Sequence, residues 1–344
     1  MDKDASLFTT VVGSWPLNNS PSNMEKIFTD LIQIGIDYPC YPQLIDMNYQ
    51  FLSPLSKKIP QLNESNKKFY LNGDFEVPKG SLVLEYGEFI NNFFKNYPHL
   101  KERITGTKAC LTGPFTLTFE TIIKNDLAKD IKPIIFEEPR AVMVDWIVDK
   151  FAEILKKLGS AYNKMGIDII SCDEPILGLL VGRKILFHSE DFIIDTINKA
   201  ISGIKGLSSI HVCGRISPNL RDLLLKTNVK ILDHEFRTNE QNFKIFEKEH
   251  FQRTDKFLAM GTVESKFTPT PNKKIEDYVE KVDFLKKFIK KGIDQYGEEN
   301  LVIKPDCGFY PLKVFGEREG YEISIRKVKN MILALKDLKN LQTT

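Results

Sequence analysis

The 344-residue chain predicts an α/β fold, a single (β/α)8 TIM barrel. Three observations point there. Short apolar, β-branched runs alternate with long amphipathic stretches; eight such runs can be counted; and the residues that end them are polar and chemically capable, as the C-terminal mouth of such a barrel requires. The length is high for one average domain but ordinary for one barrel.

The strands are expected over 7–13 (LFTTVVG), 35–40 (GIDYPC), 105–112 (TGTKACLT), 167–172 (IDIISC), 208–213 (SSIHVC), 229–234 (VKILDH), 256–263 (KFLAMGTV) and 301–306 (LVIKPD). Each is short and ends near glycine, proline or a carboxylate. Helical periodicity falls between them, over 23–34, 83–96, 115–128, 138–165, 190–204, 217–226, 239–249 and 273–296, with a last helix over 321–340. An open doubly wound sheet is the other way to arrange this alternation, but no G-x-G-x-x-G follows the first strand, where a dinucleotide fold wants it. Residues 52–82 are polar and rich in turn formers, with a candidate hairpin at FYLNGDFEV, and read as an insertion over the barrel mouth. No repeat, low-complexity tract or linker divides the chain, so 1–344 is expected to be one domain.

Composition excludes several classes of partner. Lys plus Arg number 48 against 46 for Asp plus Glu, a net of +2, so no overall field favours nucleic acid or an anionic membrane. There is no run of 18 apolar residues, and the start MDKDASLF is charged rather than signal-like. A soluble, cytoplasmic protein is expected. Five scattered cysteines make a poor disulfide framework in a reducing compartment and leave metal binding, catalysis or packing as their uses.

The strand ends carry Val12-Gly13-Ser14, Pro42-Gln43, Thr112-Gly113-Pro114, Asp173-Glu174-Pro175, His211-Val212-Cys213-Gly214, His234-Glu235, Glu264 and Pro305-Asp306-Cys307-Gly308. Residues two apart on a strand share a face, which sets the His211 imidazole beside the Cys213 thiol. The plainer reading is a buried strand in which Cys213 is a small apolar filler. Cys307 and Glu235, at other strand ends, complete a set of one nitrogen, two sulfurs and one oxygen that suits tetrahedral Zn²⁺ better than a hard cation. Two thiolates and a carboxylate leave such a site at about −1, ill suited to splitting water and well suited to holding an incoming thiol as thiolate.

With TTVVGSWP at the start, LTGPFTL, CDEP, HVCG followed 22 residues after Cys213 by Glu235, and PDCG near the end, most of the chain resembles the catalytic domain of cobalamin-independent methionine synthase, a zinc enzyme that methylates homocysteine. The resemblance implies that His211, Cys213, Glu235 and Cys307 hold the zinc. It implies that Ser14, with the backbone of Val12 and Gly13, takes the amino acid's carboxylate and that Asp173 takes its ammonium. For Asp173-Glu174-Pro175 the alternative is a loop cap at a strand end.

Three features depart from that family. The second, N-terminal barrel of its synthases has no counterpart here. Gln43 stands where they carry an acidic residue that also holds the ammonium. Near 261–270, Glu264, Ser265 and Lys266 replace a histidine that protonates the departing folate nitrogen; Glu264 is kept as a substrate-side candidate. An amine leaving group needs acid assistance, whereas a methylcobalt corrinoid does not. A methylcorrinoid donor, delivered free or by a corrinoid protein, is therefore expected. The alternatives are methylation of coenzyme M, as in related uroporphyrinogen decarboxylase-like enzymes, and a minimal methyltetrahydrofolate-dependent synthase. A structural zinc in a barrel without turnover, or a metallohydrolase, fits the strand-end donor set less well.

Overall fold

In this computed structural model, which describes residues 7–80, 82–133 and 135–342, seven of the eight apolar runs become strands and three further strands form: β1 (Phe8–Thr9), β2 (Leu62–Ser65), β3 (Lys68–Leu71), β4 (Lys108–Thr112), β5 (Thr121–Ile123), β6 (Ile169–Asp173), β7 (Leu207–Val212), β8 (Ile231–His234), β9 (Phe257–Gly261) and β10 (Leu301–Lys304). The seven form one parallel sheet in the order β1-β10-β9-β8-β7-β6-β4. A chain of strand–helix–strand units produces this order, since parallel neighbours need a crossover and a helix provides it.

The expected strand over 35–40 does not form a ladder. Residues 38–43 instead run between the two edge strands and touch them through single parallel bridges, Thr10 to Tyr38, Ser14 to Gln43 and Cys40 to Lys108. Pro39 and Pro42 explain the interruption: each lacks the N–H that a continued ladder would use. The amides that remain do bond, Tyr38 N to Thr9 O at 3.0 Å, Tyr41 N to Lys108 O at 3.2 Å and Gln43 N to Gly13 O at 2.8 Å.

Helices cover the sheet where the periodicity places them. Pro21–Ile34 starts at a Ser20 hydroxyl that accepts from Asn23 N and stops at Gly35, whose φ of 96° suits the left-handed cap. Asp145–Lys164 buries Ile147, Phe151, Leu155 and Leu158 on one stripe, and Val282–Tyr296 buries Leu285, Phe288 and Ile289. The last helix is Glu317–Gln342. Among the described residues, no helix is long and apolar enough to cross a membrane.

Several expected boundaries move, each for a local reason. The helix predicted over 115–128 ends at Glu120, because Thr121, Ile122 and Ile123 are β-branched and pair in parallel with β3. The stretches 239–249 and 273–296 each break into a short 3-10 turn followed by a helix, Lys248–Thr254 and Val282–Tyr296. Within 45–82, a helix that the periodicity does not announce, Met47–Ser56, grows from the Asp46 carboxylate. The hairpin turns at Asn66-Lys67, with φ of 49° and 60°, one strand earlier than expected; both residues take the left-handed conformation that a tight turn between twisted strands demands. Its strands β2 and β3 join β5 in a small separate sheet. Ser81 of the 52–82 segment lies outside the described residues.

The register of the large sheet fixes what faces what. Thr112 pairs with Asp173, Asp173 with His211, His211 with Asp233, and Asp233 with Ala259. Three charged or titratable residues thus sit side by side on β6, β7 and β8 at one level, near the C-terminal ends of the strands.

Candidate metal and substrate site

Sequence alternation brings His211 and Cys213 to the same side of the end of β7, and the fold adds Cys307 from just beyond β10. His211 Nε2 lies 2.9 Å from Cys213 Sγ, and Cys213 Sγ lies 3.4 Å from Cys307 Sγ. One donor atom from each of the three falls within 4.8 Å of the others. A zinc ion with Zn–S bonds of about 2.3 Å in tetrahedral array sets sulfurs about 3.7 Å apart, so two thiols 3.4 Å apart stand close to the spacing a metal would impose. Both cysteines are free thiols. The donor chemistry and the convergence fit zinc.

The ring of His211 is held from behind. Its Nδ1 lies 2.6 Å from Asp233 Oδ1, which leaves Nε2 aimed at the sulfurs, the arrangement that fixes the orientation of a metal-binding imidazole. Burial alone would lower the imidazole pKa, but the Asp233 charge outweighs it and the ring is pushed up to about 10. A thiol hydrogen bond from Cys213 holds the Cys307 sulfur below the usual thiol range, while the same contact and burial push Cys213 up. The metal-free donors thus share protons that a bound cation would displace.

Glu235 follows β8 directly and is buried, but it is not among the three converging donors. Its carboxylate accepts from Asn239 Nδ2 at 2.7 Å, and burial followed by the Cys307 charge raises its pKa. The neighbouring His234 is structural: it stacks on Phe246 with centroids 5.4 Å apart, and burial lowers its pKa to about 3.

Asp173 and Glu174 take different partners in that loop. Glu174 is the cap. Its carboxylate accepts from Phe115 N at 2.9 Å and from the Thr116 N and hydroxyl at 2.8 and 2.6 Å, pinning the start of the helix Pro114–Glu120. Gly113 is needed there, since a Cβ would fall 2.1 Å from Glu174 Cδ. Asp173, the register partner of His211, accepts from Ser171 Oγ at 2.6 Å, and its pKa is raised by burial against the pull of His211 and Lys108.

The Val12-Gly13-Ser14 turn closes on the same place. Gly13 has a φ of 143°, a conformation that favours glycine. Ser14 O accepts from Phe309 N at 2.7 Å, and Gly308 packs so tightly on Ser14 that a Cβ would fall 1.9 Å from its Oγ. Ser14 therefore abuts the residue after Cys307. Gln43 meets this turn through its backbone, but its side-chain amide donates to Gln50 Oε1 at 2.9 Å. Glu264 is engaged elsewhere, in an ion pair with Arg237 at 2.9 Å.

Sequence reasoning missed Asp233, Lys108 and Lys304, all buried. The signal was a charged residue inside each of three otherwise apolar strands, KACLT, ILDH and LVIK. It also missed a cleft of about 600 Å³ lined by Asp46, Tyr49, Phe69, Arg140 and Tyr310, the last of these three residues beyond Cys307.

Comparison with known proteins agrees with this geometry. A family model described as "Cobalamin-independent synthase, Catalytic domain" matches residues 99–336. The methionine synthase of Methanothermobacter thermautotrophicus is 30% identical over 347 residues, covering 95% of this chain and 99% of that protein. That of Sulfolobus acidocaldarius is 24% identical over 373 residues, covering 98% and 95%. A solved B12-independent methionine synthase from Shewanella sp. W3-18-1, in complex with selenomethionine, has the same fold, with a TM-score of 0.66 at 16% identity over 99% of this chain and 100% of that one.

These matches overturn one expectation. A methylcorrinoid donor, and with it a corrinoid-protein partner, does not agree with a family defined as cobalamin-independent. The reasoning from a missing histidine failed because imidazole is not the only acid that can assist a leaving amine. The donor set, the strand-end placement and the full-length match together place this chain in the cobalamin-independent methionine synthase family, matching the family's catalytic domain.

Proposed function

We propose that this chain is a zinc-dependent homocysteine S-methyltransferase that forms methionine, built as one (β/α)8 barrel in which residues 38–43 serve as the eighth strand and 52–82 is an insertion over the mouth. The observation that carries the reading is the convergence of His211 Nε2, Cys213 Sγ and Cys307 Sγ within 4.8 Å. His211, Cys213 and Cys307 hold the metal, with Glu235 as the fourth ligand after release from Asn239. Bound there, zinc lets a thiol lose its proton near neutral pH and stay nucleophilic.

The remaining groups bind and orient the acceptor. The Val12-Gly13-Ser14 turn, packed on Gly308, presents amide hydrogens and a hydroxyl to a carboxylate. Asp173, one strand from His211, offers a buried negative charge to the ammonium, and a cation is what a desolvated carboxylate lacks. A thiol held there, its proton lost to solvent, would attack the methyl carbon of the donor in line, the methyl–donor bond breaking as the sulfur–methyl bond forms and the donor leaving with the electron pair. The cleft lined in part by Tyr310 has room for a donor, and the Tyr310 amide reaches Ser14 Oγ at 3.5 Å. Selenomethionine in the Shewanella neighbour supports a methionine-type product.

The test is metal and acceptor binding together. The protein loaded with Co²⁺ in place of zinc should show thiolate-to-metal absorption, and homocysteine should add to it as a further sulfur joins. Cys213→Ser and Cys307→Ser should abolish the spectrum. A spectrum indifferent to homocysteine, or unchanged in both variants, refutes the assignment.

A further inference from the structure

The interior of the sheet holds a charge cluster that the donor set alone does not explain. Asp233 is fully buried on β8, and two lysines reach it from other strands. Lys304 Nζ on β10 lies 2.6 Å from its Oδ1, and Lys108 Nζ on β4 lies 3.6 Å from its Oδ2. Both lysines are themselves at most 1% exposed. Each is tied down on its other side: Lys304 Nζ donates to Asp306 O at 2.7 Å, and Lys108 Nζ donates to Val11 O at 3.1 Å. Oδ2 of Asp233 accepts no hydrogen bond, so the near approach of Lys108 is what faces it. Oδ1 is shared by Lys304 and by His211 Nδ1 at 2.6 Å.

Burying three charged side chains in one place costs several kcal/mol for each ion unless they compensate one another, and an apolar trio would fill the same space without that cost. The cluster is better understood through what it does to His211. Resting on this reading of His211 as a metal ligand, we infer that Asp233 is a positioning residue of the metal site and that Lys108 and Lys304 are the clamp that fixes its carboxylate. The two lysines hold Asp233 at one height and rotation, and Asp233 accepts the Nδ1 hydrogen of His211. The imidazole is thereby left with Nε2 as its ligating atom. The backbone links repeat the coupling at both ends of the site. Lys304 holds the carbonyl of Asp306, the residue before Cys307, and Lys108 holds the carbonyl of Val11, three residues before Ser14. Lys108, on the strand farthest from β10 in the sheet order, thus belongs to the metal site without touching a ligand.

The measurement is the zinc dissociation constant, by competition with a chromophoric chelator, for the parent, Asp233→Asn and Lys108→Met, with the His211 ring nitrogens followed by ¹⁵N NMR in the zinc-loaded state. Removing the partner of a metal-binding histidine weakens metal binding about 10- to 100-fold. Asp233→Asn should fall in that range and shift the Nδ1 signal. Lys108→Met, which keeps Asp233 but frees one oxygen, should weaken zinc about 3- to 10-fold and move the same signal less, an effect that a merely structural lysine would not produce. Zinc affinity within twofold of the parent in a folded Asp233→Asn overturns the inference while leaving the metal site intact. If Asp233→Asn does not fold, Lys108→Met decides, and unchanged affinity there overturns it. A parent protein that takes up no zinc overturns the metal reading and this inference together.

Discussion

Asp173→Asn is the sharpest probe of the acceptor pocket because it keeps the shape of the side chain and removes only its charge. Asp173 is 5% exposed, so an ammonium that reaches it is largely desolvated. Losing one partner of a buried, hydrogen-bonded charge pair costs about 2–5 kcal/mol. The lower end applies here. Lys108 already stabilises this carboxylate, and Ser171 bonds it at 2.6 Å, so an ammonium adds to a charge that is partly compensated. About 2 kcal/mol corresponds to a loss of roughly 30-fold in homocysteine affinity. Calorimetric titration of the zinc-loaded protein measures it, and a second ligand isolates the cause: the analogue of homocysteine with hydrogen in place of the amino group. The parent should bind the analogue more weakly than homocysteine, and the variant should bind both alike. Zinc content should not change, because Asp173 is none of the converging donors. A variant that loses equally for both ligands would show that Asp173 shapes the site without reading the ammonium; a variant that loses nothing would remove it from the pocket.

Replacing Cys40 or Cys110 by serine should leave zinc content unchanged by elemental analysis, since their sulfurs, although 3.5 Å apart, form a buried pair separate from the three converging donors. Gly113→Ala should lower unfolding free energy by about 1–3 kcal/mol in urea titration, the usual cost of overpacking, because its Cβ would fall 2.1 Å from a buried carboxyl carbon. Lys256 gives a pH signature. Burial lowers its folded-state pKa from 10.5 to about 8, so between those values the folded chain binds fewer protons there than the unfolded chain, and stability rises with pH. Measured at pH 7.5 and pH 10, the stability of the parent relative to Lys256→Met should increase; a flat or falling difference refutes the assignment.

The architecture was legible where side-chain period and local chemistry agree. Seven of the eight expected strands form because each is a short apolar run ended by a turn former. The segment 35–40 reads the same way by composition, yet its ladder is cut by Pro39 and Pro42, and the contacts that remain depend on edge strands far away in sequence. The end of the helix predicted from 115 was lost for a related reason: Thr121, Ile122 and Ile123 have helical neighbours in sequence, but a partner strand in β3 wins them. Sequence reasoning on the metal donors needed only parity along one strand for His211 and Cys213. Cys307 was reached by noting that its strand ends as theirs does. The conformation of Glu235, turned to Asn239, depends on a loop contact that no spacing rule encodes.

Buried charge is the harder lesson. Read singly, Lys108, Asp233 and Lys304 are anomalies in apolar strands, and a reader of sequence discounts a lone lysine as an exposed strand end. Their meaning appears only with register, which pairs His211 with Asp233 across β7 and β8 and leaves the two lysines to approach from β4 and β10. Two buried ammonium groups thus stand against the one carboxylate between them, a surplus of positive charge directly behind thiols that become anionic when they ligate a cation. The lysines that seem misplaced in the strands lower the cost of concentrating negative charge at the mouth.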